Sequence, residues 1–161
     1  MMIRNVTTAD AGAICRIYNP YVLETVVSFE ETAVSEAEIA GRIEELSRTH
    51  PWLVAEIDAQ IVGYSYASPW RTRAAYRNSV ETTVYVAKGR ARQGIGRALY
   101  RQLLGELAQR GFHCAMGGIA LPNPGSVALH EAMGFVEVAR FREVGHKFGR
   151  WVDVGYWQRV L

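Results

Sequence analysis

Residues 84–99, VYVAKGRARQGIGRAL, change their hydrophobic period in mid-course. VETTVYVA (80–87) alternates with the two-residue period of a strand, whereas Ile95, Leu99, Leu103 and Leu107 recur at helical spacing. Between the two stand Lys88, Arg90, Arg92 and Arg97, with Gly94 and Gly96 at the bend. A strand that turns through glycine into a helix leaves the first-turn N–H groups unpaired and sets the positive end of the helix dipole beside them. Such a turn binds anions, phosphate above all. Glycine also serves geometry alone at such bends, so the turn needs company before it means a ligand.

The remaining chain supplies regular elements on both sides. Ile3 to Val6 reads as a first strand, and Thr8 caps a helix bearing Ala11, Ile14, Cys15 and Tyr18. Ser35 and Glu38 form a capping-box signature ahead of Ile39, Ile43 and Leu46. WLVAEI (52–57), the turn DAQ and IVGYSYAS (61–68) predict an antiparallel hairpin. The helix after the glycine turn ends near Gly111, and CAMGGIAL (114–121) follows as a strand. PNPG breaks that strand, Ser126 to Met133 form a short helix stopped by Gly134, and FVEVARF and WVDVGYW supply two late strands. The order β-α-α-β-β-β-α-β-α-β-β predicts an α/β fold: a mixed sheet with helices on both faces. At 161 residues it suits one domain, 1–161.

Several function classes drop out. No Gly-Lys-Ser/Thr follows the bend, and Leu99 stands where a dinucleotide fingerprint needs its third glycine, so nucleoside triphosphates and NAD are poor ligands. The basic residues are sixteen Arg and two Lys with a net charge of only +2. Arg90, Arg92, Arg97 and Arg101 crowd one turn, which describes a local anion site and not a nucleic-acid surface. His, Cys and carboxylates show no metal-site spacing, so no metal is expected. Cys15 and Cys114 read as reduced core thiols. No run of ~18 apolar residues and no apolar h-region in MMIRNVTTAD is present, which predicts a cytoplasmic protein with no membrane partner.

The company the turn needs stands at LPNPGSVALHEAMGF: an Asn just past a strand, a helix, then Gly-Phe into another strand. With PWLVAE (51–56), YASPWRTRAAYRNSVETTVYV (66–86), LHEAMGF (129–135) and GHKFGRWVDVGYWQ (145–158), the chain resembles the GCN5-related N-acetyltransferase (GNAT) family, phosphinothricin N-acetyltransferase branch, over nearly its whole length. The resemblance implies a central, mostly antiparallel sheet whose fourth and fifth strands splay to admit acetyl-CoA as acetyl donor. It also implies a homodimer. Ala91 stands where the family's pyrophosphate pattern carries Gln or Arg, and Gln93-x-x-Gly96-x-Ala98 fits that pattern in a shifted register. Backbone donors across Arg92, Gln93, Gly94, Ile95, Gly96 and Arg97 are expected to hold the pyrophosphate whichever register applies, joined by Val84, Tyr85, Val86 and Asn123 along the rest of the cofactor.

The chemistry implied is attack by a free amine on a thioester in a ternary complex, which needs a base. Alternation puts Glu81, Thr83 and Tyr85 on one strand face, and Glu81 is the candidate, acting directly or through water. His130, seven residues past Asn123, is the second catalytic candidate, for proton transfer or substrate positioning. The acceptor, a small amino-acid-like molecule such as L-phosphinothricin, methionine sulfoximine or methionine sulfone, is expected to meet Arg71, Thr72, Tyr76 and Arg77 of the loop 68–79, Thr83, and Phe29 as an apolar wall. KFGRW fits either the acceptor cavity or a subunit contact. Two alternatives stand beside this reading: acetylation of a protein N-terminus or lysine, and a non-catalytic CoA-binding module.

Overall fold

Seven strands form one sheet in the computed structural model, which describes residues 1–161. They are β1 (Met2–Asn5), β2 (Trp52–Ile57), β3 (Gln60–Pro69), β4 (Ser79–Val86), β5 (Cys114–Leu121), β6 (Val136–Lys147) and β7 (Arg150–Val160). Their order is β1-β2-β3-β4-β5-β7-β6, and every adjacent pair is antiparallel except β4 with β5. The helices are α1 (Ala11–Glu24), α2 (Glu36–Leu46), α3 (Ile95–Gln109) and α4 (Pro124–Ala132), in the order the periodicities predict.

The helices divide between the two faces because each carries one apolar stripe. Ile14, Ile17 and Val22 of α1 and Ile39 and Ile43 of α2 pack with Trp52, Val54 and Tyr64 on one side. Leu99, Leu103 and Leu107 of α3 pack with Leu53, Val62, Val80 and Ala115 on the other. No helix is long and apolar enough to cross a membrane.

Local chemistry moved some boundaries. Thr7, not Thr8, opens the first helical segment, because the Asp10 carboxylate accepts from the Thr7 N–H at 2.8 Å while Arg4 holds it from the far side. α4 begins at Pro124 and not Ser126: proline needs no donor at the first helical position, and Asn123 caps the end by accepting from Ser126 N at 3.1 Å. β6 runs to Lys147, well past the FVEVARF segment. A two-residue turn at Phe148 and Gly149, both at positive φ, joins it to β7, and an irregularity between Phe141 and Gly145 interrupts their register.

The decisive feature lies at the centre. β4 and β5 pair only from Ser79–Glu81 to Cys114–Met116, after which the two strands part. Thr82 Oγ1 still reaches Met116 O at 3.1 Å, at the point of the fork. The splayed fourth and fifth strands expected from the resemblance are present.

Candidate active site

One side of the fork is built by α3. Gly94 takes φ +78°, a conformation that costs L side chains, and this turns the strand exit into the helix. The first helical bond is Ala98 N to Gly94 O at 2.9 Å, so the N–H groups of Ile95, Gly96 and Arg97 lack backbone partners. This places Gly94 at the N-cap and Ile95 and Gly96 in the first turn. Arg92, Gln93 and Arg97 are exposed around it, whereas the Ile95 side chain is core. Gly96 is small for another reason. A Cβ there would meet Leu129 at 3.3 Å and Val86 at 3.7 Å, so its bare face makes room for α4 and β4 and not for a ligand.

The free edge of β4 continues the same passage. The Tyr100 hydroxyl lies 3.4 Å from Thr82 O and Tyr21 donates to Val86 O at 2.6 Å, so the even residues turn their backbone toward the fork. By alternation Val84 does the same, and it lines the cavity. Tyr85 instead turns its backbone to β3, opposite Tyr64, and its ring packs against Tyr18 and Tyr21. The Val86 carbonyl is occupied by Tyr21. Of the three strand residues expected at the cofactor, Val84 offers free backbone and Val86 a free N–H, whereas Tyr85 offers neither.

A cavity of about 940 Å³ runs through the fork, lined from both sides of the sheet. Glu81 lies in it with no ion pair and no hydrogen bond, and burial pushes its carboxyl above the usual range. A Cβ at Gly118 would stand 3.1 Å from Glu81 Oε1 and equally close to the Tyr156 ring, so bare backbone makes space for both groups. The double glycine in CAMGGIAL carries that signal in the sequence; Tyr156 carries none. An arginine partner, the ordinary reason for a carboxylate in a sheet, is absent at Glu81.

His130 lies at the other end of the cavity and is 3% exposed. Its ring sits on Gly117, where an added Cβ would collide with Nε2. Gly117 and Gly118 are neighbours on β5, so His130 and Glu81 approach the fork from opposite faces of the sheet. Nδ1 donates to Ser126 O at 2.8 Å, which leaves Nε2 to accept from the Tyr100 hydroxyl at 3.0 Å. Burial lowers the imidazole's proton affinity and keeps it neutral, in agreement with that pattern. Tyr100 is fully buried on α3, a core position by its spacing, and its hydroxyl role was not legible in the sequence.

The acceptor residues divide. Phe29, Thr83 and Arg71 line the cavity, with the Arg71 guanidinium 5.2 Å from the Trp70 ring centre. Thr72, Tyr76 and Arg77 are not brought to it. A 3-10 turn at Ala74–Tyr76 bends their loop away, and Arg77 donates to Ala74 O at 3.0 Å within that loop. Asn123 does line the cavity, while its side chain caps α4.

The loop 25–34 that carries Phe29 is fastened from three sides. Asn19 exchanges two hydrogen bonds with Val34, Tyr18 bonds Ser28 and Glu30, and Lys147 donates to Val22 O and Ser28 O at 2.6 Å each. Arg42 holds the Glu30 carboxylate at 2.6 Å and keeps its proton affinity low. The Phe29 ring closes on Gly145 of β6.

A sheet forked to expose strand backbone, an anion-seeking helix start at its mouth and a lone carboxylate inside define a group-transfer enzyme with a donor side and an acceptor side. The chain belongs to the acetyltransferase (GNAT) domain family, whose sequence profile matches residues 3–155. It is 42% identical over 157 residues to a phosphinothricin N-acetyltransferase of Streptomyces viridochromogenes, covering 98% of this chain and 86% of that one. With an L-methionine sulfoximine/L-methionine sulfone acetyltransferase of Salmonella typhimurium it shares 35% over 162 residues, covering 100% and 95%. Among solved structures it superimposes with a TM-score of 0.96 on a phosphinothricin acetyltransferase from Sinorhizobium meliloti in complex with acetyl-CoA, at 38% identity and 99% and 88% coverage. It superimposes with a TM-score of 0.97 on a ribosomal-protein-alanine N-acetyltransferase from Brucella melitensis, at 39% identity and full coverage of both chains.

Proposed function

We propose that this chain is an acetyl-CoA-dependent N-acetyltransferase acting on the α-amino group of a small amino-acid-like acceptor. L-phosphinothricin, methionine sulfoximine and methionine sulfone are the acceptors we name. The observation that carries the reading is Glu81: an unpaired, half-buried carboxylate in the same cavity as an unpaired strand edge and close to the start of α3.

The residues fit acetyl-CoA. The free N–H groups of Ile95, Gly96 and Arg97, with Arg92, Gln93 and Gly94 shaping the turn, hold the pyrophosphate. Val84 backbone, flanked by Tyr85 and Val86, receives the amide arm, and Asn123 bounds the passage on the far side. When bound there, acetyl-CoA supplies an activated acetyl group. Glu81 takes the proton from the acceptor's ammonium, and its raised proton affinity suits it to that task near neutral pH. Arg71 fixes the acceptor's carboxylate, while Thr83 and Phe29 bound the pocket. His130, with its proton on Nδ1 and Tyr100's hydroxyl on Nε2, keeps a transferable proton at the fork. Residues 1–161 act as one cytoplasmic domain, paired as a homodimer.

Thiol release measured across a panel of amino acids, polyamines and alanyl peptides tests the reading. All three named acceptors should be acetylated, and Arg71→Ala should lower kcat/KM for them at least about tenfold, ~1.4 kcal/mol of transition-state binding, without changing KM for acetyl-CoA. Turnover confined to polyamines or alanyl peptides would refute the acceptor assignment and leave the acetyltransferase standing.

A further inference from the structure

Charge is unevenly supplied to the acceptor side of the cavity. Arg71 is the one Arg or Lys among its lining residues, since Arg77 bonds its own loop. Glu30 and Glu81 face the same space, and Arg42 keeps Glu30 ionised. An α-amino acid head occupies both ends of this arrangement, with its amine at Glu81 and its carboxylate at Arg71. No second cation remains for the side chain. A further negative charge would have only Glu30 as its charged neighbour, at a cost that grows in a partly desolvated site.

Much of the remaining lining is apolar, with Val27, Phe29, Phe141, Val144 and Val154 among it. Most polar groups there are already engaged. The Tyr18 and Ser28 hydroxyls bond each other at 2.7 Å, and the Gln158 amide donates to Cys114 Sγ at 2.9 Å. Tyr156 differs. Its hydroxyl makes no hydrogen bond in the protein, while its ring is held edge-on by Trp70 at 5.4 Å and Phe141 at 5.8 Å. A rigidly mounted, unengaged O–H in an apolar pocket offers one donor to an uncharged oxygen.

We propose that the site selects α-amino acids with an uncharged, oxygen-bearing side chain over those with an anionic one, and that Tyr156 reads the oxygen. The proposal rests on the amino-acid acceptor reading above. A pocket that donates a hydrogen bond discriminates strongly against a ligand lacking its acceptor, because the donor is then left unpaired.

Steady-state kinetics on the full chain with L-methionine sulfone, L-methionine and L-phosphinothricin test it. The sulfone should exceed both others in kcat/KM, phosphinothricin by at least about tenfold. Tyr156→Phe should lower kcat/KM for the sulfone by about tenfold, a loss at least about fivefold larger than for methionine, with KM for acetyl-CoA unmoved. Glu30→Gln should narrow the gap to phosphinothricin, because it removes the opposing charge and frees Arg42; this arm holds even if Tyr156→Phe fails to fold. Phosphinothricin matching the sulfone, or equal losses on sulfone and methionine in Tyr156→Phe, would overturn the proposal while the enzyme remains an amino-acid acetyltransferase. Turnover of alanyl peptides with none of the three amino acids would remove the acceptor reading itself.

Discussion

Glu81 shows how one side chain's environment sets both rate and stability. Burial without a partner raises its proton affinity, and a base must ionise before it works, so kcat/KM should fall on the acid side with an apparent pKa above the ordinary 4.5. Glu81→Gln keeps the shape and removes the acceptor of the proton, so turnover should fall roughly 10²–10⁴-fold with acetyl-CoA affinity unchanged. Stability should move the other way. Below pH 4.5 the carboxyl is protonated in both folded and unfolded chains and contributes no pH-dependent penalty. As pH rises past that value the unfolded chain ionises first, and the folded state loses stability until its own, higher pKa is passed. Calorimetry should therefore find Glu81→Gln melting higher than the wild type at neutral pH, with the difference gone in acid. An unchanged rate at neutral pH would move the base to another group, His130 first.

At the scale of elements, α3 and the last hairpin divide the work between donor and acceptor. Gly94 has open space for a side chain but a backbone conformation that refuses a β-branched one. Gly94→Val should deform the helix start and weaken acetyl-CoA binding by isothermal calorimetry, with the acceptor KM little altered. Gly96→Val is the less telling variant, since its added methyls would strike Leu129 and not the ligand. On the acceptor side, Lys147 is 2% exposed and joins the end of α1 to the loop 25–34 from the tip of β6. Lys147→Met should cost about 1.5–3 kcal/mol, the range for hydrogen bonds from a charged donor. It should also raise the acceptor KM several-fold while KM for acetyl-CoA stays put. A loss of stability with both constants unchanged would make the lysine a strut without influence on the pocket.

At the scale of the whole molecule, the sheet ends on an edge strand that is unusually apolar. Val136, Phe148 and Trp151 on the β6–β7 hairpin are 63%, 58% and 63% exposed. Val138, Phe141 and Val144 of the same strand are exposed at the rim of the cavity. Such a patch on a sheet edge marks a contact surface, and a second copy of this chain is the partner we expect there. Sedimentation velocity should give a dimer, and Trp151→Glu should shift it toward monomer while the isolated fold keeps its far-ultraviolet dichroism. A wild-type monomer at high concentration would refute the pairing.

The order of elements was legible in the residues because it depends on local period and local capping. Leu99, Leu103 and Leu107 mark a helix wherever they occur, Ser35 and Glu38 satisfy each other across four residues, and CAMGGIAL holds strand character from Cys114 to Leu121. The glycine turn was equally local, and so was the alternation that put Glu81 and Thr83 on one face. What the tertiary structure decided depends on neighbours distant in the chain. Arg77 and Tyr76 look like acceptor ligands until the short turn at Ala74 points them outward. Tyr100 and Leu103 share one helical stripe, yet His130, thirty residues on, turns only the first into a hydrogen-bonding group. Lys147 and Tyr156 carry no pattern of their own; they acquire their roles because β7 pairs along β5 and the tip of the β6–β7 hairpin reaches the loop after α1. Period and capping are properties of a segment, whereas a cavity is a property of the surfaces that enclose it, and those surfaces meet only when the sheet has closed.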